Sequence, residues 1–113
     1  MKKLLLLLLL IPNISYSFSL TFDSYLEFKK TSRGEYLMEY YIGGIGEGFL
    51  WYSSYSSALG GKPIYCVPPT LVLNAKNFMD ILEREYYKNP NEYKNDPVGS
   101  TLIMGLRATF PCK

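Results

Sequence analysis

The sequence predicts an all-α protein, a small helical bundle of about four helices stapled by one disulfide. Three observations carry this expectation. Apolar residues recur at spacings of three and four along several stretches, the period of a helix face. Joints rich in proline and glycine separate those stretches. Alternating apolar and polar runs with hairpin turn chemistry are confined to one candidate, Lys62 to Val67. A chain of 113 residues is one small domain.

The chain opens on a segment that reads as an address. Met1, Lys2 and Lys3 make a positive start, and Leu4 to Ile11 form an unbroken apolar run of eight. Ser15-Tyr16-Ser17 then fits a small-x-small cleavage site. Residues 1–17 are therefore read as a bacterial-type secretory signal peptide, and 18–113 as a single helical domain. Eight residues of helix span about 12 Å against about 30 Å of hydrocarbon, too little for a membrane anchor. No membrane association is expected after cleavage.

Export alters two readings. The chain has 12 basic and 10 acidic residues, and Lys2 and Lys3 leave with the signal, so the mature chain has a formal net charge of zero. No basic patch remains to point to nucleic acid. In an oxidising compartment the pair Cys66 and Cys112 reads as one disulfide, with two free thiols as the alternative. It would close a loop of about 47 residues, worth about 4 kcal/mol on the chain-entropy model.

The first helix is expected to be short. Ser24-Tyr25-Leu26-Glu27 has capping-box spacing, and the helix ends near Thr31 to Gly34. The second runs from Glu35 to about Ser57, with Leu37, Tyr40, Tyr41, Gly44, Ile45, Gly48, Phe49 and Tyr52 on one face. Its middle, Gly43-Gly44-Ile45-Gly46-Glu47-Gly48, holds four glycines, each costing about 1 kcal/mol against alanine in a helix interior. Close packing explains them best, with Gly44 and Gly48 admitting another backbone. A helix break and a ligand loop are the alternatives.

A joint follows from Ser53 to Pro69, with Gly60-Gly61 and Pro68-Pro69 inside it. The third helix spans Asn74 to Lys88, and Phe78, Ile81, Leu82, Glu85 and Tyr86 form a clear amphipathic stripe. A second joint runs from Asn89 to Asn95. Asp96 and Pro97 then supply an N-cap and a first-turn proline. Val98, Leu102, Gly105, Leu106 and Thr109 trace the inner face of the fourth helix, which Pro111 ends. A Cys66–Cys112 bridge would staple the end of that helix to the joint before the third.

Chemistry-bearing constellations are scarce. The chain has no histidine, which removes Ser-His-Asp and Cys-His arrangements and histidine-containing zinc sites. Glu83 and Glu85 point to different faces of one helix. Glu47 is an acid inside an apolar, glycine-rich stretch with no obvious acid-base partner. No catalytic residue, metal site or cofactor is expected. The residues read as an exported helical binding module.

Four segments resemble one family. Tyr41-Ile42-Gly43-Gly44-Ile45-Gly46-Glu47-Gly48 resembles its "Y-I-x-G-x-x-[DE]-G" helix, and Cys66-Val67-Pro68 its "C-[IV]-P" joint. Phe78 to Pro90 is similar to its hydrophobic helix followed by proline. Pro97 to Cys112, ending Ala108-Thr109-Phe110-Pro111-Cys112, is similar to its "A-x-x-x-F-P-C" terminus. The family is the Rap/Tai immunity proteins of type VI secretion systems, and the resemblance covers about Glu35 to Cys112. It implies a periplasmic, mostly helical protein, often a homodimer. Such a protein binds and inhibits a secreted cell-wall-degrading effector, typically a peptidoglycan amidase. It also implies the Cys66–Cys112 bridge. Many members carry a further cysteine pair in the first half, where this chain has Leu37 and Met38.

The expected effector-binding segment is Asn89 to Asn95, shaped by Pro90 and carrying Asn91, Glu92, Tyr93 and Lys94; an ordinary solvated connector is the alternative. Trp51, Tyr52 and Tyr55 form a second candidate surface, with core or homodimer packing as the competing role. The rival function is a small periplasmic stress chaperone that releases apolar surface at low pH.

Overall fold

A computed structural model describes residues 19–113, so the proposed signal peptide lies outside the described residues. Five helices follow in order: α1 Phe22–Lys29, α2 Ser32–Ala58, α3 Ala75–Tyr86, α4 Pro90–Tyr93 and α5 Val98–Thr109. The described residues contain no strand, and Lys62 to Val67 is irregular. The one β-type pairing is an isolated bridge between Thr21 and Pro97. The fifth helix beyond the four expected is α4, a single turn inside the predicted second joint.

Local chemistry sets the boundaries. Thr21, not Ser24, caps α1, its hydroxyl accepting from the Ser24 N–H. Starting the helix there places Phe22 and Tyr25 one turn apart on the buried side. Thr31 caps α2 by accepting from the Gly34 N–H at 3.0 Å, so the predicted end of the first helix is the start of the second. At the other end of α2, Gly60 adopts a left-handed φ of 83°. The N–H groups of Gly60 and Gly61 then return to the carbonyls of Ser57 and Ser56, at 3.1 and 2.8 Å. This closes the helix end with paired carbonyls. Asn74 and Asn77 form a reciprocal capping box on α3, with both bonds at 2.9 Å. Asp96 caps nothing. Pro97 occupies the cap position without a side-chain bond, and the Val98 N–H donates to the Leu20 carbonyl at 2.8 Å. The extended residues before α1 thereby tie down the start of α5.

The predicted stripe of α3 is buried in full: Phe78, Ile81, Leu82, Glu85 and Tyr86 all face inward. α3 packs on α2 through one side and α5 through another. From α1, Phe22 stacks on Tyr86 with ring centroids 3.5 Å apart, and the Tyr25 hydroxyl donates to Glu83 at 2.7 Å. Lys29 forms an ion pair with the same carboxylate. Cys66 and Cys112 are disulfide-bonded, with Cα atoms 5.0 Å apart. Beside them the Cys66 N–H donates to the Phe110 carbonyl at 2.8 Å. The bridge joins the end of α5 to the segment between α2 and α3.

The buried side of α2 is Met38, Ile42 and Gly46, flanked by Tyr41, Ile45, Phe49 and Leu50. Leu37, Tyr40, Gly44, Gly48 and Tyr52 from the predicted face point outward. The error has a physical source: α2 is apolar nearly all round, so spacing alone does not choose a side. The close-packing role falls on different glycines. A Cβ on Gly46 would lie 2.4 Å from the Phe78 ring, and one on Gly105 would lie 3.0 Å from the Ile81 carbonyl oxygen. Around Gly44 and Gly48 the chain leaves open space.

Substitutions within one helix should therefore act with opposite signs. Gly44→Ala and Gly48→Ala should each stabilise by about 0.5–1 kcal/mol through helix propensity. Gly46→Ala should cost about 1–3 kcal/mol, because the Phe78 ring must move. Chemical denaturation of the three variants separates the cases, and a common sign would contradict the packing described.

Alkaline pH provides a second test. Burial pushes the Tyr65 phenol from 10.0 up to about 12. Burial, followed by the hydrogen bond to Glu83, also raises Tyr25. Both folded-state values exceed those of the unfolded chain, so both contributions are complete below pH 10 and fall as pH rises above it, that of Tyr65 being lost through about 12. The Tyr65 hydroxyl is buried without a hydrogen-bond partner among the described residues. Tyr65→Phe should keep or raise stability at neutral pH and shift alkaline unfolding upward, as read by circular dichroism.

Candidate functional site

The length of α2 creates the most prominent surface. Its 27 residues extend about 40 Å, whereas α1, α3 and α5 have 8, 12 and 12 residues. These neighbours cover one side only. On the other, Tyr36, Tyr40, Trp51 and Tyr55 are between 56% and 66% exposed. The Tyr36 and Tyr40 rings meet edge to face at 4.7 Å, and the Tyr36 hydroxyl donates to that of Tyr40 at 3.0 Å. That bond is the main cause that raises the Tyr36 phenol above its ordinary value. Trp51 and Tyr55 pair further along, 6.4 Å apart.

An open groove of about 920 Å³ runs between this side of α2 and the segment Leu73-Asn74-Ala75 that leads into α3. Tyr36, Tyr40 and Trp51 rise along it, and Leu50 and Phe78 contribute apolar wall. Gly43 and Gly44 leave the middle of the α2 wall without side chains. Two carboxylates, Glu39 and Glu47, face the same space. Glu47, the acid singled out by the sequence, therefore belongs to an exposed groove.

The segment Asn89 to Asn95 is contiguous on the surface, but its residues divide into two roles. Tyr93 faces inward, its hydroxyl donating to Glu85 at 3.0 Å, and Lys88 pairs with the same carboxylate. Burial first, then the bond to Glu85, pushes the Tyr93 phenol upward. Glu92 accepts from the Asn89 side chain at 2.7 Å. Asn91, Lys94 and Asn95 are exposed. The expected charged-aromatic tip is thus a polar tip over an aromatic anchor. The anchor could not be read from helical spacing, because Pro90 breaks the period between Glu85 and Tyr93.

Glu83 and Glu85 are engaged in the fold, the first with Tyr25 and Lys29, the second with Tyr93 and Lys88. Among the described residues no cluster of three metal-ligating side chains occurs, and no helix is long and apolar enough to cross a membrane.

Tyr93→Phe should loosen this anchor without unfolding the bundle. Losing one hydrogen bond to a carboxylate should speed amide exchange across residues 90–95 by about tenfold, with α3 and α5 unchanged. Equal exchange rates would remove the anchoring role. Comparison with known protein families, characterised proteins and solved structures finds no match to this chain.

Proposed function

We propose that this is an exported, periplasmic immunity protein that binds and inhibits a secreted cell-wall-degrading effector of a type VI secretion system. The effector class that suits it best is a peptidoglycan amidase. The observation that carries the reading is the aromatic surface of α2: tyrosine and tryptophan left exposed at low entropic cost are the residues that anchor protein partners. The signal-like start, the disulfide and the resemblance to Rap/Tai proteins support the compartment and the effector class. The polar turn of Asn91 and Lys94 is the part of the 89–95 segment free to enter a partner's cleft. A homodimer fits the neighbouring flank of α2, which carries exposed Leu37 and, further along, exposed Tyr52 beside the open Gly48.

The test mixes the purified protein with the effector encoded by the adjacent reading frame and follows peptidoglycan hydrolysis. Inhibition complete at stoichiometric protein is expected. Replacing Asn91 and Lys94 together by alanine should weaken binding by about tenfold and leave the melting temperature unchanged. Undiminished hydrolysis, together with suppression of client aggregation at acid pH, would replace this reading with the chaperone.

A further inference from the structure

The groove along α2 carries charge that no ion pair among the described residues answers. Glu39 and Glu47 line it, and no lysine or arginine does. The ion pairs among the described residues are Lys29–Glu83, Lys30–Glu27 and Lys88–Glu85, none of which involves either groove acid. The nearby Asn74 uses its backbone N–H and its side-chain oxygen in the α3 capping box. Two carboxylates are thus held without a counter-charge beside Tyr36, Tyr40 and Trp51.

From this we infer that the groove seats an extended segment of a protein partner carrying two arginines four positions apart, with an apolar residue midway between them. The inference rests on the protein-binding reading above and names the chemistry of the partner. Glu39 and Glu47 are separated by about 12 Å along the helix axis. Four residues of extended chain span about 13 Å, and residues at every second position point to the same side. Two arginines at that spacing reach both acids, and the residue between them falls over Gly44, which has open space above it, because Ala75 already closes on Gly43. Arginine suits the site better than lysine because its planar guanidinium pairs with a carboxylate while stacking on an aromatic face.

A second copy of the chain answers the charge less well. An antiparallel α2 centred on Tyr40 would bring Arg33 to Glu47. It would leave Glu39, half-buried on the α3 flank, without a partner.

Trp51 is the chain's single tryptophan and stands in the groove, so its emission reports occupancy. The probes are two short peptides without tryptophan, one with arginines four apart flanking a leucine, the other with glutamines in place of the arginines. The arginine peptide should bind saturably and at least about tenfold more tightly, with the margin falling as salt is added. The double variant Glu39→Gln, Glu47→Gln should fold normally and lose that margin. Equal binding of the two peptides, or an undiminished margin in the double variant, overturns the assignment. So does a dimer in sedimentation that Glu47→Gln dissociates. The same preparations go into the hydrolysis assay. Effector inhibition without peptide preference removes the groove assignment alone. Peptide preference without inhibition keeps the groove and removes the immunity reading.

Discussion

The bundle depends on two places where a side chain lies directly on a neighbouring backbone. Phe78 of α3 covers α2 at Gly46, and α5 crosses α3 at Gly105, against Ile81 and Glu85. These approaches bring three helices close enough to bury the α3 stripe on both sides. They also fix where α3 crosses α2, and so how much of the longer helix stays uncovered. The exposed aromatic surface is thus a consequence of packing geometry. A shorter α2, or a crossing nearer one end, would leave a different groove.

The periphery is held by tethers of another kind. α1 has only eight residues and is marginal as an isolated helix. It is fixed by Phe22 on Tyr86 and by the convergence of Tyr25 and Lys29 on Glu83. Leu20 caps α5 through its backbone, Glu85 holds the turn at 89–95 through Tyr93, and the disulfide holds the last residues. Aromatic stacking and a shared carboxylate therefore dock α1 here without a covalent link.

What the sequence made legible follows from how local each signal is. The α3 stripe depends on spacing and stands as read, whereas the joints do so only in part, since α2 runs on to Ala58 within the first and α4 forms a turn inside the second. The cysteine pairing had one intramolecular solution, and the structure contains it. The face of α2 was misassigned because a helix apolar on all sides carries no amphipathic phase. Which glycines pack is decided by α3, a long-range partner absent from the local pattern. Thr21 and Ser24 both suit an N-cap, and the choice between them is made by the burial of Phe22. Glu47 was visible as an oddity. Its groove was not, because Leu73 and Ala75, the opposite wall, lie more than twenty residues along the chain.

The charge pattern sharpens what this surface can select. The segment from Phe18 onward has no net charge, so long-range attraction to any partner is weak and contacts must discriminate locally. Lys29, Lys30 and Lys88 are paired with Glu83, Glu27 and Glu85. Glu39 and Glu47 are left out of this pairing and share a groove with the exposed rings of Tyr36, Tyr40 and Trp51. Apolar surface alone would accept many segments, and two carboxylates in water alone would hold few. Together they favour a segment that supplies both a cation and an apolar side chain, and they disfavour an acidic one by repulsion. A neutral protein with one locally anionic aromatic groove can therefore be selective without being strongly charged.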